Sequence, residues 1–162
     1  MPVTQDMTSG LKVRVVRLPH AVGLALPRYA SDGAAGFDFI AAIEADIVLA
    51  PGARALIPTG LKLALPHGYE LQIRPRSGLA LNNGVTLPNT PGTIDEDYRG
   101  EVKVIMINLG TERFVISRGM RIAQGIIAPV TRLEWQEVST LDETLRAKGA
   151  SGAQAPRTET MT

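Results

Sequence analysis

Residues 46–74 read DIVLAPGARALIPTGLKLALPHGYELQIR, and this stretch decides the fold class. It holds four short runs of branched and alternating apolar residues, at residues 46–49, 53–57, 61–65 and 69–74. Turn signals of proline and glycine separate the runs, at residues 51–52, 58–60 and 66–68. Many short strands at such spacing are typical of a β-sandwich or β-barrel. The stretch therefore predicts an all-β domain.

The same pattern continues on both sides of this stretch. Further strands are predicted at residues 12–18, 102–107, 113–116 and 122–130, and short helices at residues 78–82 and 141–146. The two ends are different in character, because residues 1–10 and 146–162 are polar or small and have little to bury. We predict one β domain over residues 11–145, with a flexible N-terminus at 1–10 and a flexible C-terminal arm at 146–162.

Composition limits the classes of function. The chain has 162 residues, which suggests one domain, and a formal net charge of +1. That charge gives no field for bulk attraction of nucleic acid or a membrane surface. Cysteine is absent, so disulfide and thiol chemistry are excluded, and no apolar run is long enough to cross a bilayer. The first residues do not resemble a secretory signal. We expect a cytoplasmic protein without nucleic-acid or membrane partners.

Residues 88–102, PNTPGTIDEDYRGEV, carry the most chemistry in the shortest length. Asn89 has an amide that both donates and accepts, Asp95 follows apolar Ile94, and Tyr98 supplies a flat ring. We interpret the segment as a hairpin that grips a small planar ligand and places a partly desolvated carboxylate beside it, suited to act as a base. The alternatives are that Asp95 satisfies backbone amides in a turn and that Tyr98 belongs to the core.

Residues 75–80, PRSGLA, form a candidate phosphate site. Arg76 offers a forked cationic donor, Ser77 a hydroxyl, and Gly78 lets backbone amides approach an anion. A helix that opens here would add its free amide groups. The alternative is an ordinary turn with a surface arginine.

These segments resemble the motifs of a known enzyme family. Residues 35–38 (AGFD), 75–80 (PRSGLA), 88–102 and 119–124 (GMRIAQ) are similar, in order, to four motifs of the trimeric dUTP diphosphatases, the dUTPases. The resemblance covers about residues 11–146. It implies a jelly-roll-like, distorted β-barrel with one short helix, assembled as a homotrimer. It also implies hydrolysis of dUTP to dUMP and pyrophosphate.

The resemblance assigns roles to individual residues. Asp95 would activate the water that attacks the α-phosphate, and Tyr98 would pack on the deoxyribose and exclude a ribose. The remaining substrate contacts that it implies are Asn89, Gly92, Thr93 and Ile94 around uracil, and Arg76, Ser77, Gly78, Gln124 and Arg146 along the phosphate chain and its covering arm. Asp38 would support the site near the phosphates and a hydrated metal, although a turn role after Gly36 is a serious alternative.

The resemblance also implies a cofactor and a shared site. Mg²⁺ would be held by phosphate oxygens and water, with no direct protein ligand. Each active site would combine Asp95 and Tyr98 from one chain, the phosphate-binding groups from a second and the C-terminal arm from the third.

Two segments depart from the family pattern. Met120 stands where the fourth motif usually has an acidic residue, and a modest structural effect is expected. The Gly-rich arm over residues 146–154 has Ser151 in place of the aromatic residue expected to stack on uracil.

Three other functions are considered. The altered arm favours a dUTP-binding protein of low turnover, whereas intact Asp95 argues against it. A dCTP deaminase of similar fold fits residues 88–102 less well. A purely structural β-trimer would not need Asp95, Tyr98 and Arg76 together.

Overall fold

The computed structural model describes residues 10–142 of the chain. They contain ten β-strands, one short α-helix and a single 3-10 turn at Pro19–Ala21. The strands are β1 (Arg14–Arg17), β2 (Phe37–Ile40), β3 (Ile47–Leu49), β4 (Arg54–Ala64), β5 (Tyr69–Arg74), β6 (Val85–Thr86), β7 (Gly92–Ile94), β8 (Glu101–Asn108), β9 (Phe114–Ile116) and β10 (Arg121–Pro129). Helix α1 spans Ser77–Asn83. The predicted all-β class with one short helix is confirmed.

The strands form three antiparallel sheets around one apolar core. Sheet A has the order β1-β4-β8-β6, sheet B the order β2-β10-β5-β7, and sheet C pairs β3 with β9. Each sheet sends fully buried side chains into the core, among them Phe39, Ile57, Leu71, Met106, Ile116 and Ile122. Alternate residues of β8 are buried, as expected for a strand with one face on the core.

The chain divides into two units, of which the described parts are residues 10–131 and 132–142. All the strands lie in the first unit, and residues 132–142 contain no helix or strand. The helix predicted at residues 141–146 is therefore absent at its first two positions, and its other positions lie outside the described residues. Within residues 10–142, no helix has the length and apolar character needed to span a membrane.

The predicted turn at residues 58–60 is wrong, because β4 runs through it without reversing. The pairing of β4 with β8 shifts register between Pro58 and Lys62. Gly60 has φ of 67° at this point, its N–H donates to Glu101 Oε1 over 2.8 Å, and its carbonyl accepts from the Leu18 amide over 2.8 Å. A bulge with a left-handed glycine bends a strand and lets it continue. As a result, β4 pairs with β8 at residues 54–58 and again at Lys62, and its last four residues also pair with β1.

Three strands were not predicted: β2, β6 and β7. Each is four residues or shorter, and an aspartate or a glycine interrupts the apolar pattern of β2 and β7. They extend because each pairs with a longer neighbour: β2 with β10, β6 with β8, and β7 with β5. In contrast, β5 has the predicted bounds, and α1 extends the predicted helix by one residue at each end.

A buried asparagine joins sheets A and C. Asn108, at the end of β8, is 0% exposed. Its Nδ2 donates to the carbonyls of Leu49 (2.9 Å) and Glu112 (2.7 Å), and its Oδ1 accepts from the Gly110 amide (2.9 Å). A buried amide group is stable only when its donors and acceptor are all used, so this residue is specified by its partners.

We expect Asn108→Ala to lower the free energy of unfolding by about 3 kcal/mol, because the loss of the side chain leaves two backbone carbonyls and one amide without partners in the interior. Urea unfolding at one fixed protein concentration measures the change. Asn82→Ala, at an exposed position of α1, is the matched control and should stay within about 0.5 kcal/mol of the parent chain. Equal stability of the two variants would contradict the role assigned to Asn108.

Candidate active site

One carboxylate holds two arginines at the edge of sheet B. Asp38, on β2, lies 3.0 Å from Arg76 Nε through Oδ1 and 3.3 Å from Arg121 Nη1 through Oδ2. Arg76 also donates from Nη1 to the Arg121 carbonyl over 3.1 Å. The Asp38 and Arg76 side chains are about one-quarter exposed, so this pairing is partly shielded from water. Two guanidinium groups around one carboxylate leave a net positive charge of fixed geometry, which suits phosphate.

Gln124 lies beside this cluster. It pairs with Asp38 of β2 on one edge of β10 and with Arg74 of β5 on the other. Its Nε2 donates to the Pro75 carbonyl over 2.9 Å. A Cβ at Gly36 would lie 3.1 Å from Gln124 Oε1, so the first-motif glycine leaves room for this side chain. Asp38, Arg76 and Gln124, predicted from three separate motifs, are thus brought together.

The start of α1 is open to solvent next to Arg76. Arg76 is the N-cap residue in an extended conformation, and Ser77 and Gly78 are exposed in the first turn. First-turn amides have no acceptor within a helix, so here they can face an anion along with the Ser77 hydroxyl.

The predicted hairpin over residues 88–102 is wrong. Strand β7 pairs with β5 in sheet B, whereas β8 pairs with β4 and β6 in sheet A, so residues 95–100 cross from one sheet to the other. The predicted uracil contacts still come together. A small pocket of about 50 Å³ is lined by Asn89, Gly92, Thr93 and Ile94, with Lys103 and Ile105 of β8 among the opposing residues.

Asp95 begins the crossing segment and is exposed in the single chain. The predicted desolvation of Asp95 is therefore wrong for the single chain, because Asp95 follows the last residue of β7 in a segment that leaves the sheet. Its carbonyl accepts the Tyr98 amide over 3.1 Å, which closes a tight turn. Among residues 10–142, the Asp95 carboxylate has no hydrogen bond or ion pair, in contrast with Asp38, and is free to contact a ligand or water.

Tyr98 stands at the end of the same turn. It is 42% exposed, as expected for a ligand-contacting ring and not for a core residue. Its hydroxyl donates to the Glu101 carbonyl over 3.0 Å, which fixes the tip of the ring.

Residues that the sequence analysis missed hold this turn in place. Glu96 accepts the Gly68 amide at Oε2 (2.6 Å), and its Oε1 lies 2.9 Å from His67 Nδ1. Arg99 donates from Nη1 to the carbonyls of Glu96 (2.6 Å) and Tyr98 (2.9 Å). Nothing in the sequence distinguishes these charges from solvated surface groups, because their partners lie in a different turn or on the backbone. Arg121 was equally unmarked, apart from its place in the GMRIAQ motif.

Sheet B places the phosphate-side residues (Asp38, Arg76 and Gln124) next to the ring-side segment (residues 89–98). Gly92 of β7 is opposite Ile73 of β5, and Gln124 of β10 is opposite Arg74, the next residue of β5. Neighbouring strands lie about 4.8 Å apart, so the phosphate-side and ring-side segments flank one strand. Arg146, the remaining predicted contact, lies outside the described residues. Met120 is partly buried against the core, so the residue that replaces the expected acid contributes to packing.

The chain is similar to known proteins over most of its length. The sequence model of the dUTPase family matches residues 24–154. The deoxyuridine 5'-triphosphate nucleotidohydrolase of Brucella melitensis biotype 2 is 54% identical over 153 residues, which cover 93% of this chain and 98% of that protein. The enzyme of the same name from Rhizobium johnstonii is 52% identical over 155 residues, covering 94% and 98%.

Solved structures show the same fold at lower identity. The dUTPase of phage phi11 of S. aureus, described as coordinating a structural Mg(II) ion, is 21% identical with a TM-score of 0.71, over 80% of this chain and 97% of that one. The dUTPase of Staphylococcus bacteriophage 80alpha is 22% identical with a TM-score of 0.75, over 87% and 97%.

The ion pairs of Asp38 lead to a test of anion binding. We expect Asp38→Asn to weaken the binding of inorganic tripolyphosphate about tenfold, measured by calorimetry, because Arg76 and Arg121 lose the carboxylate that orients them. The substitution also removes one negative charge, which alone would tighten anion binding. Asp46→Asn makes the same charge change at an exposed residue before β3 and is the matched control. Tighter binding by both variants would contradict the orienting role.

Proposed function

Since this chain belongs to the dUTPase family, we propose that Asp95 is the general base with which this dUTP diphosphatase activates water for attack on the α-phosphate of dUTP, giving dUMP and pyrophosphate. The observation that supports this best is the turn of residues 95–98. It presents an unpaired, exposed carboxylate and an exposed aromatic ring three residues apart, held by the Tyr98 N–H to Asp95 carbonyl bond. A carboxylate within hydrogen-bond reach of a water is suited to take its proton.

Tyr98 selects the sugar. With its hydroxyl tied to the Glu101 carbonyl, the ring cannot readily move aside for a larger ligand. A ribose 2′-hydroxyl against its face would either collide or lose its water without gaining a partner, which penalises UTP.

The pocket beside β7 selects the base. Asn89 lines it together with Gly92, Thr93 and Ile94, and the Asn89 amide can pair with the polar edge of uracil. A Cβ at Gly92 would lie 3.2 Å from Asn89 Nδ2, so the amide packs closely on the strand. Such a site rejects the exocyclic amine of cytosine by its donor pattern and a 5-methyl group by shape.

The phosphate chain is held by the second group of residues. Arg76, oriented by Asp38, supplies the forked donor; Ser77 and Gly78 supply the hydroxyl and amides, and Gln124 lies beside them. Orientation of the chain for in-line attack is the main contribution of such a clamp, since there is little covalent chemistry for it to perform. Arg146 would act from the arm.

Mg²⁺ is the proposed cofactor. Within residues 10–142 there is no cluster of three groups of the kind that would hold a metal ion, and both Asp38 oxygens are engaged by arginines. Mg²⁺ prefers phosphate oxygens and retained waters over an all-protein cage, so the residues present fit an ion that arrives on the triphosphate. When bound, it supplies positive charge to the phosphates.

A homotrimer with shared sites accounts for the exposure of Asp95. A neighbouring chain that brings its own Arg76, Ser77 and Gln124 over the ring-side segment would cover the carboxylate and exclude water from it. The arm of a third chain would close the site. A dUTP-binding protein of low turnover is not favoured, since this chain retains both Asp95 and the phosphate-binding residues Arg76, Ser77 and Gln124. The cytoplasmic location remains a prediction.

Pyrophosphate release from dUTP with Mg²⁺, run beside dCTP, dTTP and UTP, tests the activity. Fast release from dUTP alone is the expected result. Ammonia release from dCTP would instead indicate a deaminase, and nucleotide binding without pyrophosphate release would indicate a binding protein.

Asp95→Asn should lower kcat by about 10²- to 10⁴-fold, the range for loss of a general base, while the Kd for a non-hydrolysable dUTP analogue stays within about threefold. Single-turnover kinetics and calorimetry measure the two quantities. Asp97→Asn, an exposed acid in the same turn, is the matched control and should retain activity. A kcat close to that of the parent enzyme would exclude Asp95 as the base.

Tyr98→Ala should narrow the ratio of kcat/KM for dUTP over UTP by about tenfold or more, because the ring no longer occupies the space of the 2′-hydroxyl. Competition between the two nucleotides in one reaction gives the ratio directly. Tyr29→Ala, at another exposed tyrosine, is the control. An unchanged ratio would show that Tyr98 is not the sugar gate.

A further inference from the structure

We propose that Gly100 and Glu101 are positioning residues for the preference for deoxyribose over ribose, because they form the seat that holds the Tyr98 ring. This inference rests on the proposed role of Tyr98 as the sugar gate. It adds that Tyr98 excludes ribose only while its ring lies against the backbone of Gly100 and its hydroxyl donates to the Glu101 carbonyl.

The Tyr98 ring occupies the space that a side chain at Gly100 would take. A Cβ at Gly100 would lie 2.6 Å from Tyr98 Cζ and 3.0 Å from Cε2, and closer still to the hydroxyl oxygen. Real Cβ atoms essentially never approach other atoms closer than 3.0 Å, so something must shift.

The backbone itself does not require glycine at this position. Six glycines of residues 10–142 have positive φ: Gly23, Gly52, Gly60, Gly68, Gly84 and Gly119. Gly100 is not one of them, so an alanine could adopt its backbone conformation. The constraint on Gly100 comes from the Tyr98 ring, which separates it from glycines needed for turns.

Glu101 fixes the other end of the ring. Its carbonyl accepts the Tyr98 hydroxyl over 3.0 Å. The Glu101 side chain is only 13% exposed, and its Oε1 accepts the Gly60 amide over 2.8 Å and lies 2.7 Å from His20 Nε2. The residue is thereby tied to the bulge of β4 and to the 3-10 turn, so the carbonyl that anchors Tyr98 has little freedom to move.

The position of the ring depends on Gly100 and Glu101 because Tyr98 is 42% exposed, so a large part of its surface faces solvent and does not pack against the protein. Exclusion of one hydroxyl is a matter of about an ångström, and a ring that can rotate away no longer excludes it. Loss of either part of the seat should therefore admit UTP without removing Asp95 or the phosphate clamp.

The first test is Gly100→Ala, with Gly33→Ala as matched control, since a Cβ at Gly33 meets nothing within 4 Å. We expect Gly100→Ala to lower the dUTP-over-UTP ratio of kcat/KM about tenfold, and Gly33→Ala to leave it unchanged. A general loss of stability would lower kcat/KM for dUTP and for UTP by the same factor and leave their ratio unchanged. An unchanged ratio in Gly100→Ala would overturn the proposal.

A double-mutant cycle shows whether Gly100 acts through the ring. In a Tyr98→Ala background, Gly100→Ala should change the ratio no further, because there is no ring left to displace. An equal change in both backgrounds would show that Gly100 acts independently of Tyr98 and would overturn the proposal.

The contribution of Glu101 is tested by comparing a conservative substitution with a truncation. Glu101→Gln keeps an oxygen that can accept the Gly60 amide and should retain most of the selectivity, whereas Glu101→Ala should lose it. Equal ratios in the parent enzyme and Glu101→Ala would remove Glu101 from the seat.

A crystal structure of Gly100→Ala decides the question without any activity. We expect the Tyr98 hydroxyl to lie beyond hydrogen-bond distance of the Glu101 carbonyl; a ring in the parental position would overturn the proposal. Absence of pyrophosphate release by the parent enzyme would count against the proposed function alone, since the ring position would still be measured.

Discussion

Strand β5 is paired along both edges, with β10 on one side and β7 on the other, and this double pairing fixes where both groups of candidate site residues lie within one chain. Backbone hydrogen bonds set the register, so Gln124 and Gly92 flank consecutive residues of one strand. The next residues after β5 lead directly into Arg76 and α1. A one-residue slip at either edge would turn every side chain of that neighbour to the opposite face. The interior face of β5, with Leu71 and Ile73 buried, opposes such a slip.

Four carboxylates around the site have different tasks, and their partners distinguish them. Asp38 orients two arginines, Glu96 ties the 95–98 turn to the turn before β5, and Glu101 ties the start of β8 to the bulge of β4. Each of the three is held by hydrogen bonds and is thus committed to structure. Asp95 alone among them has an unpaired carboxylate in the single chain, which leaves it available for chemistry. In the proposed mechanism, a carboxylate therefore serves as scaffold or as base according to what surrounds it.

The local residue pattern predicted those elements whose structure depends mainly on their own residues. The alternation in residues 69–74 predicted β5 with its observed bounds, and residues 78–82 marked α1. Pro58, Thr59 and Gly60 were interpreted as a turn because proline and glycine commonly end strands. The contact that makes them a bulge comes from Glu101, about forty residues away, and is invisible to a local reading. The hairpin predicted over residues 88–102 is wrong for a similar reason, since β7 and β8 belong to different sheets.

The sequence by itself determined the all-β class and the short helix near residues 78–82, because periodicity and turn chemistry are local properties. The resemblance of its motifs to those of the dUTPases also predicted that Asp38, Arg76 and Gln124 belong to one site, without any distance between them. Only the tertiary structure decided that Asp38 lies between two arginines, that Asp95 is exposed in one chain, and that the Tyr98 ring lies where a side chain at Gly100 would be. Each of these depends on contacts between segments that the fold brings together, and the strength of an ion pair or a steric constraint is set by distance in space, not by separation along the chain.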